Sequence, residues 1–176
     1  MSTPLQDAPH AGSLPDYYRG YLVHTEGVSA VLDALEAQAD QVARRLGHVA
    51  PQLETHRYAP GKWSVRGVVG HLVDTERVFQ LRALWFARGD AQALPGYDET
   101  RWGAASNADD LALDRLLAEY HAVRRSSLNL WRNFSPELLA RTGEANGQRF
   151  QVGAIPWFLL GHERHHLAIL KERYGV

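Results

Sequence analysis

Two histidines near the end of the chain have the spacing of a metal-binding pair. His162 and His166 are four residues apart in a segment with a helical pattern, so they lie on one helix face, one turn apart. With Glu163 the run reads H-E-x-x-H, the pattern of zinc proteases. Those proteases take their third ligand from beyond the motif, but only ten residues follow His166 and none is a histidine. The protease interpretation therefore fails, and a third ligand must come from upstream.

His71 is the best upstream candidate for that third ligand. It lies in a helical segment among apolar residues, where a histidine is more often an ordinary core residue. A histidine pair on a second helix favours the metal interpretation, because bundles build metal sites from facing helices. His165 competes with His166, but the four-residue spacing from His162 gives the smaller angular offset. Three neutral imidazoles suit one Zn²⁺ or Ni²⁺ ion better than Mg²⁺ or Ca²⁺.

Two carboxylates are candidates for catalytic roles beside such an ion. Asp74 lies one turn from His71 and could orient that ligand or act as a general base, with a simple helix contact to Arg77 as the alternative. Glu163 holds the position of the general base in zinc proteases. Without the protease fold, the direction of the Glu163 side chain is open. A salt bridge, or a contact that supports a ligand, is the stronger interpretation.

Three further residues are candidates for substrate binding. Arg82 lies on the His71 face of its helix, three turns along, where it could bind an anionic group; an ordinary exposed arginine is the alternative. Tyr97 and Trp102 lie in a polar segment after that helix and could close over the mouth of the site. They could equally pin this segment to the bundle.

Composition excludes several classes of function. At 176 residues the chain suits one domain, and its net charge of −1 provides no field that attracts nucleic acid or an anionic membrane. No apolar run approaches the roughly 18 residues that span a bilayer. The first residues lack the pattern of a secretory signal, so we expect a cytoplasmic protein. There is no cysteine, so a reacting thiol would have to arrive on a small molecule.

Hydrophobic periodicity predicts an all-α protein, a four-helix bundle. The long helices are expected at about residues 26–47, 65–88, 110–134 and 154–173. Ser64 is the expected N-cap of the second helix, and Gly89 is expected to end it. Gly70 and Gly161 each precede a candidate ligand, which indicates close helix packing or chance.

Shorter elements are expected between the helices. Residues 89–109 are expected to form a long polar loop, and Pro136 to begin a short helix. The Asn146-Gly147 pair predicts a small β-ribbon within residues 142–152. We expect a partly flexible arm over residues 1–24 and a single domain over 25–176.

Several segments, in order, resemble the DinB-like superfamily of damage-inducible, metal-binding helical bundles related to bacillithiol and mycothiol S-transferases. These segments are Pro60–Arg66 running into Gly70–Arg77, then Arg82–Asp90, Leu94–Asp98 and Gly161–Leu167. The resemblance spans about residues 25–174. It implies a divalent ion held by one histidine of the second helix and an H-x-x-x-H pair of the last, which map onto His71, His162 and His166.

The resemblance also implies a function and an assembly. It favours an S-transferase that joins a small-molecule thiol to a small electrophile, and a homodimer. A metal-dependent hydrolase of a small substrate and a metal-binding stress protein without turnover are the alternatives. An ion with three protein ligands keeps an open position, which favours catalysis over a purely structural role.

Overall fold

The computed structural model describes Leu5, Pro9 and residues 13–176, so residues 1–4, 6–8 and 10–12 of the predicted arm lie outside the described residues. Its helices, in chain order, are α1 (Asp16–Arg19), α2 (Val31–Leu46), α3 (Pro51–Glu54), α4 (Val65–Ala87), α5 (Glu99–Ala105), α6 (Leu113–Arg132), α7 (Pro136–Ala140) and α8 (Ile155–Ile169). Three short 3₁₀ helices cover Gly20–Thr25, Ala108–Asp110 and Val152–Ala154, and a π-helical turn, Leu170–Tyr174, extends α8. The four long helices α2, α4, α6 and α8 form the predicted bundle. Among the described helices, none combines the length and apolarity needed to cross a bilayer.

Local signals set the ends of the long helices. The Ser64 hydroxyl accepts a hydrogen bond from the Gly67 amide at 2.8 Å, which confirms the predicted N-cap of α4. Gly89, with φ of 75°, ends the same helix as predicted. The expected start of the first long helix near residue 26 is wrong, because Gly27 has φ of 77° and the helix begins at Val31.

The expected long polar loop over residues 89–109 is wrong, because this segment contains α5. Asp98 caps that helix, its carboxylate accepting from the Arg101 amide at 2.9 Å. Gly103 lets α5 approach Trp63, since a Cβ atom at this position would lie 2.4 Å from the indole nitrogen. The segment is therefore packed onto the bundle beside the start of α4.

The predicted β-ribbon is confirmed. Strands β1 (Thr142–Ala145) and β2 (Gln148–Gln151) pair antiparallel across a two-residue turn. Both turn residues, Asn146 and Gly147, have positive φ, at 54° and 65°, as this tight hairpin turn requires. Leu94 adds a parallel bridge to Ala145, which ties the segment before α5 to the ribbon.

The segment before α2 packs closely on α8 at the level of the histidine pair. A Cβ atom on Gly161 would lie 2.2 Å from the Tyr21 carbonyl oxygen, so only glycine allows this approach. A Cβ atom on Gly70 would lie 3.0 Å from the Ala108 side chain, a milder contact. Close packing therefore accounts for both glycines.

The core has two apolar clusters with a polar layer between them. One cluster contains the later part of α4 and the start of α8, including Phe79 and Phe158. The other contains the earlier part of α4 and the end of α8, including Leu72 and Leu167. At the boundary the buried side chains are polar: His71, Glu76, Arg124, His162, Glu163 and His166. Buried polar groups are costly unless they are paired, so this layer must be organised by specific contacts.

The approach of Tyr21 to α8 makes Gly161 sensitive to substitution. We expect Gly161→Ala to lower the free energy of unfolding by about 1–3 kcal/mol, because the overlap with a backbone carbonyl outweighs the better helix propensity of alanine. Gly20→Ala is the matched control, since a Cβ atom there meets nothing within 4 Å. Urea titration compares the two variants, and equal stabilities would contradict this packing.

Candidate metal centre

Three imidazoles converge where α4 faces α8. The Nε2 atom of His162 lies 3.1 Å from Nε2 of His71 and 3.1 Å from Nε2 of His166. One ligand atom from each histidine lies within 4.8 Å of the others, and all three residues are buried. A tetrahedral ion with bonds of 2.0–2.1 Å needs ligand nitrogens roughly 3.3 Å apart, so the spacing fits such an ion.

Electrostatics favours the neutral, metal-binding form of these imidazoles. Burial lowers the pKa of His71 to about 4, and burial together with the neighbouring histidines lowers the pKa of His166 to about 3. The pKa of His162 is held well below its ordinary value by burial and by the other two histidines. At neutral pH each ring therefore keeps a nitrogen lone pair for a cation.

Aromatic side chains hold the imidazole rings in place. The Trp63 ring stacks on His71, with centroids 4.3 Å apart and planes inclined by 29°. The Tyr21 ring packs edge-on against His162 at 5.2 Å. His165 lies outside the cluster, with its ring against those of Tyr21 and His24. Neither Trp63 nor Tyr21 was a candidate site residue, and Tyr21 reaches the site through long-range packing that no local pattern reveals.

A large cleft opens beside His162, one of the three clustered histidines. Its volume is about 870 Å³, and its walls include His162, Phe158, Phe79, Thr75 and Tyr97. The Tyr97 and Thr75 hydroxyls are hydrogen-bonded at 3.0 Å. Tyr97 is therefore placed in the cleft, as a substrate-binding role requires. Thr75 was not a candidate site residue from the sequence, although it lies one turn after His71 and therefore on the same face of α4.

Asp74 and Trp102 line a different cavity. This cavity has a volume of about 480 Å³, and none of the three clustered histidines lines it. Burial raises the pKa of the Asp74 carboxyl, and the nearby charge of Arg77 partly offsets the rise. Trp102 reaches the histidine cleft only indirectly, through its ring contact with Tyr97 at 4.9 Å. The structure thus separates these two candidates from the imidazole cluster.

Glu163 points away from the histidines into a buried ion network. Its Oε2 atom accepts hydrogen bonds from the Tyr120 hydroxyl at 2.9 Å and from the Arg124 guanidinium at 2.5 Å. Arg124 also donates to Glu76 at 2.9 Å and to the Leu35 carbonyl at 2.8 Å. The network therefore joins all four bundle helices. Its placement favours the salt-bridge interpretation of Glu163 over that of a general base.

Arg82 is buried rather than exposed. Its side chain lies in the aromatic core, with the guanidinium carbon 4.6 Å from the ring centroid of Phe79 and 5.3 Å from that of Phe150. The residue is only 2% exposed. The alternative of an ordinary exposed arginine is therefore wrong.

The family is established by a match over most of the chain. The model of the DinB superfamily matches residues 34–170. The chain belongs to the DinB superfamily. This agrees with the resemblance seen in the sequence, and the matched region contains all three clustered histidines.

Two similar proteins are described as proposed metal-dependent hydrolases. One protein of Oceanobacillus iheyensis, described as a proposed metal-dependent hydrolase, is 20% identical over 154 residues, which are 85% of this chain and 86% of that protein. A second protein of this organism, described in the same terms, is 27% identical over 118 residues, 66% of this chain and 67% of that protein.

A solved structure shares the fold of this DinB-superfamily chain. YfiT from Bacillus subtilis, described as "a probable metal-dependent hydrolase with an unusual four-helix bundle topology", superposes with a TM-score of 0.70. The match covers 99% of this chain and 97% of YfiT at 18% identity. At this identity the likeness establishes the common bundle topology.

The ion network predicts a large and pH-dependent effect of removing its one cation. Arg124→Met leaves two carboxylates buried without their partner, so we expect a loss of about 3–5 kcal/mol in the free energy of unfolding. Burial already raises the pKa of Glu163 above its ordinary value, and loss of Arg124 raises it further. At Glu163 the folded variant then binds more proton than the unfolded chain near neutral pH, so the deficit in stability of the variant relative to the original protein shrinks as the pH falls from 8 towards 6.

Urea denaturation at each pH measures the difference in unfolding free energy between the original protein and Arg124→Met. The contributions of the histidines cancel in this difference, because both proteins contain them. Arg132→Met is the control, because Arg132 pairs with Glu36 on an exposed surface and its loss should change stability little. A deficit for Arg124→Met that is small, or that grows on acidification, would contradict the network.

Proposed function

We propose that this DinB-superfamily protein is a metal-dependent hydrolase of a small substrate, with one divalent ion, Zn²⁺ or Ni²⁺, held by His71, His162 and His166. The observation that carries the proposal is the convergence of three neutral imidazole rings. One of the three residues, His162, also lines a large cleft. A site of three protein ligands leaves a coordination position open, as catalytic sites do. The descriptions of the Oceanobacillus proteins and of YfiT support the same chemistry.

The residues of the cleft have separate roles in this proposal. When bound, the ion would lower the pKa of a water molecule towards about 7 and so supply a nucleophile at neutral pH. The Thr75 and Tyr97 hydroxyls orient the substrate by hydrogen bonds. Burial raises the pKa of Tyr97 to about 12, so its phenol stays protonated and can donate.

A carboxylate for proton transfer is available in the same cleft. Glu99 lines the cleft together with His162, whereas Asp74 lines another cavity and Glu163 is bound to Arg124. Partial burial raises the pKa of Glu99, which brings it nearer the working range of a general base. We therefore favour Glu99 over the two carboxylates proposed from the sequence.

Transfer to an external thiol is the second candidate function. A smaller cavity of about 250 Å³ reaches His166, and Thr100 lines both this cavity and the large cleft. Two openings beside one cluster of ligands give room for two reactants, as an S-transferase needs. Because the chain has no cysteine, the thiol must come from a small molecule. Homodimer formation stays a prediction.

The two candidate functions differ in what turnover requires. We expect the metal-loaded protein to cleave p-nitrophenyl esters or anilides without added thiol, and His162→Ala and Glu99→Gln each to lower the rate by about 100-fold or more. His165→Ala is the matched control and should keep most of the activity. Absorbance at 400 nm follows ester cleavage.

A parallel assay with monochlorobimane and a small thiol tests the alternative. Turnover that appears only when the thiol is present would establish the transferase and contradict hydrolysis. If a broad screen shows neither reaction while the ion is bound, the metal has a structural role instead.

A further inference from the structure

The smaller of the two cavities at the histidine cluster has walls that are mainly aromatic and aliphatic. It has a volume of about 250 Å³, and His166 forms part of its lining. Its walls come from five segments: the loop before α4, α4 itself, α5, α8 and the π-helical turn that follows α8. The apolar side chains of this lining are Tyr58, Trp63, Val68, Ile169 and Tyr174.

Specific contacts fix the three aromatic walls of this cavity. The Tyr174 hydroxyl donates to the Trp63 carbonyl oxygen at 2.5 Å, and the Tyr58 ring meets that of Tyr174 edge-on at 5.1 Å. The Trp63 ring stacks on His71, and Gly103 allows α5 to lie against its indole. Because these side chains are already ordered, a ligand that binds between them does not have to immobilise them.

The size and the chemistry of the cavity suit one aromatic ring. An apolar protein cavity of about 150 Å³ is large enough to bind benzene, so 250 Å³ accommodates a six-membered ring with a short substituent. Aromatic walls favour a flat ring over a saturated one, because edge-on and offset stacked contacts add to the burial of apolar surface. Lys62 carries the only charge among the described residues of the lining, which disfavours a cationic ligand.

We propose that this cavity binds an aromatic ring of the substrate, close to the bond that is hydrolysed. His166 lines this cavity, His162 lines the large cleft, and their Nε2 atoms lie 3.1 Å apart. Thr100 lines both spaces. A substrate whose ring occupies the small cavity therefore places the neighbouring bonds beside the proposed metal ligands, and the rest of the molecule extends into the cleft.

This inference rests on the proposed function and names its substrate class. The substrate is an ester, an amide or a related compound that carries an uncharged aromatic ring next to the hydrolysed bond. Binding of the ring itself requires only the walls of the cavity, so it can be measured whether or not the protein hydrolyses anything.

Binding of small aromatic probes to the full, metal-loaded chain tests the proposal. Isothermal titration calorimetry with benzyl alcohol should show saturable binding, with a dissociation constant of about 1 mM or lower. Cyclohexylmethanol, which has a similar size but no flat ring, should bind about 2–10-fold more weakly. Benzylamine, a cation at neutral pH, should also bind more weakly than benzyl alcohol, because of the charge on Lys62.

Variants locate the bound probe. Ile169→Trp fills the cavity from α8 and should weaken the binding of benzyl alcohol by about tenfold or more. Leu81→Trp is the matched control, because Leu81 is 53% exposed and lies outside this cavity. His162→Ala removes a proposed metal ligand but no wall of the cavity, so it should keep the binding. That result shows that the probe is not held by the metal.

Turnover connects the cavity to the proposed reaction. Ile169→Trp should lower kcat/KM for phenyl acetate by about tenfold or more, and should leave that for ethyl acetate unchanged. Equal losses for the two esters would show that the cavity is not part of the substrate site.

Three binding results would overturn the proposal. They are the absence of saturable binding of benzyl alcohol, equal binding by the original protein and Ile169→Trp, and tighter binding of benzylamine than of benzyl alcohol, which would indicate a site for cations. If Ile169→Trp does not fold, Tyr58→Ala provides the test. It removes one wall at a position that is 37% exposed, and should weaken the binding of benzyl alcohol about threefold.

Discussion

The pairing of Arg124 with two carboxylates is the interaction on which the site depends. Arg124 of α6 binds Glu76 of α4 and Glu163 of α8, all three side chains being at most 3% exposed. His162 and Glu163 are consecutive on α8, so their side chains point about 100° apart around the helix. When Glu163 is bound to α6, His162 faces His71 on α4. We infer that the ion network sets the rotation of α8 and so brings the histidines together, which would be a contribution to the specificity of the packing rather than to net stability.

The sequence predicted the parts of the structure that depend on local signals. The Ser64 cap, the Asn146-Gly147 turn and the histidine spacing each follow from a few neighbouring residues. The parts that were missed depend on contacts between distant segments. The edge-on contact of Tyr21 with His162 requires the first described segment to lie against the last helix, and periodicity does not encode that placement.

The distinction between local signals and contacts of distant segments also explains why the interpretation of several candidate residues changed. Helical spacing placed Arg82 on the histidine face of α4 correctly, but not in the core, because burial depends on the ribbon that brings Phe150 over it. It placed Glu163 beside a ligand, but the direction of its carboxylate depends on Arg124, 39 residues away in the chain. Glu99 was not a candidate, since its segment was expected to be a loop, and the cap at Asp98 was the local signal for the helix.

Metal content gives the most direct test of the central claim, that three histidines from two facing helices bind one ion. Elemental analysis of the purified, metal-loaded protein should find about one transition-metal ion per chain, and His71→Ala should reduce this to near zero while His165→Ala leaves it unchanged. Circular dichroism shows whether the variants remain folded. A folded His71→Ala protein with the full metal content would contradict the site and the function proposed for it.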